Sequence, residues 1–351
     1  MNTSHRAVPS RLARYLLPAA AALAALGCAQ MAVQPAASEA TVAAHVAAAT
    51  TAAGTDLKAL IRLCQPAPLT RPSSNDAGAQ IRALIARPAP APGRAFDNLY
   101  YVGGAWASAW ALKTSDGIIL LDALNNTAEA QALIEGGMRK LGLDPAQIRI
   151  IIVTHGHGDH YGGAAYLAQK YGARVVMSEI DWRMMETKLE FDSPAWDPPP
   201  KRGPRDMAVK DGDEVKLGDT TVSLHLAPGH TWGTLSPVFD VTNNGQRHRA
   251  MLWGGTSFNF GNDVPRMQAY VDATVRLDQL AQQRGVDVML SNHPSFDGTI
   301  TKLQPAAAAG QGLPADNRFV IGPAAVRRSL AVMNGCAQAQ RDRYVLAGRA
   351  K

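Results

Sequence analysis

The stretch that most restricts this chain is a nearly continuous β-branched run, Ile148 to Val153, that ends at Thr154 and passes straight into His155-Gly-His157-Gly-Asp159-His160. A run of this kind reads as a strand buried on both faces. Its end delivers three imidazoles and a carboxylate to one loop. Zinc accepts nitrogen and oxygen donors of this sort, and imidazoles packed so closely would repel one another if protonated. The loop is therefore a candidate metal centre. Gly156 and Gly158 fit that reading, because small residues let the chain turn tightly and aim alternate side chains at different points.

Two later histidines share the same context. His230 lies in Ala227-Pro-Gly-His230-Thr-Trp-Gly, after a strand pattern over 220–227, and His293 lies in Ser291-Asn-His293-Pro, after one over 286–290. All six candidates follow strands, so they can converge on one sheet edge, where α/β proteins place their sites. The alternative, a surface histidine cluster without metal, leaves this shared placement unexplained. His45, His225 and His248 read as ordinary surface or core residues, and His5 falls in the leader.

Strand patterns occupy 99–102, 105–112 and 118–121, with Gly103-Gly104 and Ser115-Asp116-Gly117 as turns, which implies an antiparallel meander. Helical spacing covers 127–141 with Thr127 as the N-cap, and 162–171, followed by a strand over 174–177. The stretch 191–205 contains Trp196-Asp-Pro-Pro-Pro200 and cannot be regular structure. A second strand set covers 214–217, 220–227, 235–240 and 249–253, then a long amphipathic helix 264–284 leads to the strand 286–290. Two halves of this kind imply an α/β protein in which two sheets pack face to face with helices outside, a four-layer αβ/βα sandwich.

Residues 1–30 read as an export signal: Arg6, Arg11 and Arg14 precede an uncharged apolar run from Tyr15 to Gly27, too short for a spanning helix of about 20 residues. An N-terminal membrane anchor is the competing reading. Ala25-Leu26-Gly27-Cys28 resembles a lipobox that would lipidate Cys28, although Ala25 stands where Leu is preferred. The expected location is periplasmic or secreted. Residues 31–58, rich in Ala and Thr, read as a tether or loose helix that buries little surface, which leaves 59–351 as the main folded domain. The 46% hydrophobic content suffices for a core. The 35 basic residues, three of them in the leader, nearly balance 29 acidic ones, and no long basic run suggests a nucleic-acid partner. Cys64 and Cys336 remain as a pair which export would oxidise to a disulfide, unless they are two unrelated buried thiols.

From about Leu99 to Asp297 the sequence resembles the metallo-beta-lactamase superfamily, and within it subclass B3. That resemblance implies two Zn2+ ions, the first held by His155, His157 and His230 and the second by Asp159, His160 and His293. It also implies a buried Asp near the metal loop, matched by Asp122, that orients a ligand histidine; a helix-capping Asp is the alternative. Asp297 is either a brace for the His293 loop or an exposed turn residue. Where many relatives have Pro after the His-Thr of the third motif, this chain has Trp232. Where glyoxalase-type thioesterases place a bridging Asp, it has Gly254-Gly255-Thr256, which argues against the glyoxalase and phosphodiesterase branches.

The implied chemistry is a zinc-activated hydroxide opening a cyclic amide in a small-molecule substrate, with Asp159 near the departing nitrogen. A β-lactam is the first expectation, and another amide, ester or lactone the second. A lipid-anchored binding protein whose site has lost catalysis is a third. Trp106, after Gly103-Gly104, and Trp196 in the Pro-rich stretch are candidate pocket walls; packing into the core is the alternative for each.

Overall fold

Strand burial, not loop geometry, sets the architecture. In the computed structural model, which describes Met1 and residues 36–71, 73–303 and 313–349, the described strands form two sheets. The first contains β1 (Gly93–Arg94), β2 (Leu99–Tyr101), β3 (Trp110–Thr114), β4 (Gly117–Leu121), β5 (Ile148–Ile152), β6 (Arg174–Ser178) and β7 (Met207–Val209), in that order. Pairing is antiparallel from β1 to β4, as the turn signals imply, and parallel from β4 to β7. The second sheet runs β12 (Val288–Ser291), β11 (Gln246–Trp253), β10 (Leu235–Asn243), β9 (Thr220–Leu226), β8 (Glu214–Leu217). It is antiparallel except for the parallel pair β11 and β12.

Alternate residues explain why two sheets need three cores. Leu99, Tyr101, Trp110, Ile119, Leu121, Ile150 and Ile152 face Leu224, Leu235, Phe239, Leu252 and Leu290 between the sheets. The opposite residues of the first sheet, including Leu120, Ile151 and Val175, pack on Ile134, Met138, Leu167 and Trp182 from the helices outside it. Met251, Trp253 and Met289 of the second sheet pack under Met267, Tyr270 and Leu277 of the helix Val264–Arg284 and under Val326, Leu330 and Met333 of the helix Pro323–Arg349. The result is the four-layer sandwich. Burying each large apolar side chain of these cores contributes about 1.5–3 kcal/mol.

Of the two readings of 31–58, tether or loose helix, the described residues carry the helix, and it packs more closely than expected. Residues 39–53 form a helix, Glu39–Ala53, whose Ser38 and Thr41 make a reciprocal capping box. It buries Val42, Ala49 and Ala53, and an added Cβ on Gly335 of Pro323–Arg349 would lie 3.1 Å from the Ala49 Cβ. Small residues permit this close approach. An interface made of alanine carries no stripe of large side chains, which is why its sequence looks like a linker. Cys64, in the helical turn Leu60–Cys64, is disulfide-bonded to Cys336 across a separation of 272 residues. The expected leader and Cys28 lie outside the described residues, and among those described no helix is long and apolar enough to cross a membrane.

Smaller differences follow local chemistry. Asn126, not Thr127, caps the helical segment that begins at Thr127, because its side chain accepts the Glu129 N–H at 2.9 Å while Thr127 is taken by Asp197. Residues 105–109 form the loop before β3, and 188–206 form no helix or strand.

Candidate metal centre and active-site cavity

The C-terminal ends of β4, β5, β9 and β12 bring every expected ligand to one end of the sandwich. His155, His157, Asp159 and His160 follow β5; His230 sits in the turn between β9 and β10; His293 follows β12. All six are buried.

Three imidazole nitrogens point at one another. His155 Nε2 lies 3.1 Å from His157 Nδ1, which lies 3.0 Å from His230 Nε2, and that atom lies 3.1 Å from His155 Nε2. His230 Nδ1 is engaged by the Ser257 carbonyl at 2.7 Å, so this ring's proton is at Nδ1 and its Nε2 presents a lone pair. Lone pairs converging in a dry site need a shared cation. A tetrahedral ion with bonds of roughly 2.0–2.1 Å would hold its ligand nitrogens about 3.3 Å apart, close to what is seen.

A second group lies beside the first and shares His155 with it, since ligand atoms of His155, Asp159 and His160 fall within 4.8 Å of one another. The Asp159 carboxylate is 3.2 Å from His160 Nε2 and 3.5 Å from His293 Nε2. His293 donates its Nδ1 proton to the Trp106 carbonyl at 2.7 Å, which again leaves Nε2 for a metal. Donor type, dryness and convergence all fit a metal centre.

Electrostatics follow from burial. Desolvation, reinforced by neighbouring imidazoles, holds His155 and His230 well below the usual histidine range, and desolvation brings His157 down to about 4. These rings are neutral ligands at pH 7. For His160 desolvation acts in the same direction but is outweighed by the Asp159 and Asp122 carboxylates, which push it up to about 10. Desolvation would raise Asp159, yet the His160 charge holds it well below the usual carboxylate range.

Asp122 orients rather than caps. Its Oδ2 lies 2.8 Å from His160 Nδ1, and its two oxygens accept the Thr154 N–H at 2.7 Å and hydroxyl at 2.9 Å. Asp122 and Leu124 adopt φ of 61° and 62°. Left-handed backbone in non-glycine residues costs about 1–3 kcal/mol each and persists where the surroundings over-determine it. Asp297 braces the His293 loop by accepting the Ser291 N–H at 2.8 Å.

Asp181 and Arg266 are among the residues of the site that escaped the sequence reading. Asp181 accepts the Gly156 N–H at 2.8 Å, the Thr231 hydroxyl at 2.7 Å and the Gly233 N–H at 3.0 Å, clamping the loops of His155 and His230 to each other. Arg266 donates to the carbonyls of Gly229 and His230. The available signal was a charge inside an apolar stripe: Asp181 lies on the buried face with Trp182 and Met185, and Arg266 on that of Met267 and Tyr270.

A model of the metallo-beta-lactamase superfamily matches residues 106–241, which include five of the six expected ligands, the four of the first loop and His230. A subclass B3 metallo-beta-lactamase of Bradyrhizobium japonicum superposes with a TM-score of 0.54 at 29% identity, covering 69% of this chain and 90% of that one. Over residues 106–241 the chain is similar to the metallo-beta-lactamase superfamily. A metallo-beta-lactamase of Cronobacter sakazakii shares the fold, with a TM-score of 0.60 at 24% identity over 80% of this chain and 98% of that one. Among curated relatives, a hydroxyacylglutathione hydrolase of Rhodopseudomonas palustris is 36% identical over 111 residues, 32% of this chain. The chain spans about a third of the length of such relatives.

A cavity of about 620 Å³ opens over these side chains and reaches His157, Asp159, His230 and His293. Trp106 and Trp196 both line it, together with Phe191 and Phe296, and both tryptophans are half-buried. The Trp196 ring lies flat against Gly158, where an added Cβ would sit 2.3 Å from it, and its Nε1 donates to Asn125 Oδ1 at 2.9 Å. Residues before the matched segment, such as Leu63, Ile81 and Leu84, form the facing wall.

Proposed function

We propose that this protein is an exported binuclear zinc hydrolase that opens a cyclic amide, most readily a β-lactam. When bound, zinc supplies a water of lowered pKa and a Lewis acid for the carbonyl oxygen. The chain's part is to hold the donors neutral and dry, to fix each ring through Ser257, Trp106 and Asp122, and to place the Asp159 carboxylate beside the departing nitrogen. The aromatic walls exclude water and offer apolar area to substrate substituents.

The observation that carries the choice among superfamily reactions is the ground beside the ligands. An added Cβ at Gly254 would meet the Leu235 carbonyl at 1.9 Å, and one at Gly255 would meet the His230 Cβ at 2.6 Å. Neither position accepts the bridging Asp expected of glyoxalase-type thioesterases. With the subclass B3 likeness, this favours a lactam over a glutathione thioester, despite the names of the curated relatives. Zinc-loaded protein should be assayed against penicillin, cephalosporin, carbapenem, lactone and S-acylglutathione substrates. The reading expects the highest kcat/KM on a β-lactam; a higher value on the thioester would replace it.

A further inference from the structure

His157 differs from the other rings in what holds its far nitrogen. His155 Nδ1 has Thr154, His160 Nδ1 has Asp122, His230 Nδ1 has Ser257 and His293 Nδ1 has Trp106. His157 turns Nδ1 toward the metal position, so its proton belongs on Nε2, and that atom is buried with no hydrogen-bond partner among the described residues. An unpaired buried N–H costs about 1–3 kcal/mol and calls for an explanation.

The group facing it is the Glu190 carboxylate, with Oε2 at 4.0 Å from His157 Nε2. Glu190 is itself anchored. Arg71 donates to its Oε1 at 2.8 Å and to its backbone carbonyl at 2.5 Å, while Arg266 makes a two-pronged contact with the carboxylate. Arg266 is buried and its remaining donors reach Gly229 and His230, so one guanidinium ties the His230 turn to the carboxylate facing His157. Two arginines holding a carboxylate about 1 Å short of a ligand's only free proton are poor economy for surface charge, and a sound arrangement for orienting a ring.

We propose that Glu190, fixed by Arg71 and Arg266, is the positioning residue for His157, taking its Nε2–H when metal is bound and so setting the ring that presents Nδ1 to the first ion. The inference rests on the metal-centre reading. Arg71 lies outside the segment matched to the superfamily, so this brace is supplied partly by the chain's own N-terminal portion.

The test is metal binding by the full-length protein, with Co2+ followed by its d–d absorption and Zn2+ by competition with a chelator. Outer partners of this kind are worth 10–100-fold in metal affinity. Glu190→Ala should weaken binding at the His155, His157 and His230 site by that factor and alter its Co2+ spectrum, with the other site changed far less, and Glu190→Gln should fall between. Because truncation leaves Arg266 less well paired, the wild-type zinc form supplies a second measurement: its imidazole NMR spectrum should contain a low-field, slowly exchanging Nε2–H from His157. Affinities within twofold of wild type, or a rapidly exchanging His157 N–H, would overturn the proposal alone. Wild-type protein that takes up neither metal would overturn the metal-centre reading, and the proposal with it.

Discussion

Nitrogen lone pairs 3.0–3.1 Å apart repel unless a cation lies between them, and this makes single ligands decisive. His155→Ala should remove the first ion and His293→Ala the second, each lowering turnover by orders of magnitude; metal analysis returning two full equivalents in either variant would refute the division into two sites. Asp122→Asn keeps a residue that tolerates positive φ but removes the charge on His160 Nδ1. The expected outcome is a 10–100-fold loss of affinity at the second site with little change in melting temperature. His160, raised to about 10, carries two ring protons at pH 7.5 before metal arrives, so filling the second site must expel one. Affinity there should increase with pH, and calorimetry in buffers of different ionisation enthalpy should count the released proton. The ligands were legible in sequence because each sits just past an apolar strand. Asp181, Glu190 and Arg266 were not, since their roles depend on contacts 25 or more residues away that no local pattern announces.

At the scale of elements, regular structure followed from patterning and the loops carried the surprises. The buried run of β5 and the long amphipathic helix Val264–Arg284 were readable directly, because period and length agree. The Ala-rich composition of Glu39–Ala53 left helix and tether undecided, and Pro323–Arg349 was not anticipated at all. The Pro-rich loop is irregular yet tied down, with Trp196 bonded to Asn125 and Asp197 to Thr127. Held in this way Trp196 lines the cavity, as Trp106 does from the loop before β3. Trp106→Ala and Trp196→Ala should raise KM roughly two- to tenfold, the scale of about 0.5–1.5 kcal/mol per aromatic contact, while zinc content stays constant. Lower melting temperature with unchanged substrate preference would make them packing residues instead.

At the scale of the whole fold, the Cys64 to Cys336 bridge fastens the turn Leu60–Cys64, and with it one cavity wall, to the helix Pro323–Arg349. Chain-entropy models allow up to about 5 kcal/mol for so long a loop, and measured values are often smaller. Cys336→Ser should therefore lower the melting temperature clearly and, by loosening the Leu63 and Ile81 wall, raise KM more than it lowers metal content; differential scanning calorimetry beside steady-state kinetics would show both. The sandwich, the bridge and the strand-end ligands make one object, a dry donor cage under an aromatic-walled cavity. Its central claim is tested most directly by measuring β-lactam hydrolysis as zinc is added back to chelator-stripped protein. The account predicts no turnover without metal and a rate that rises to a plateau at two equivalents of zinc; turnover in the stripped protein, or none at any zinc level, would contradict it.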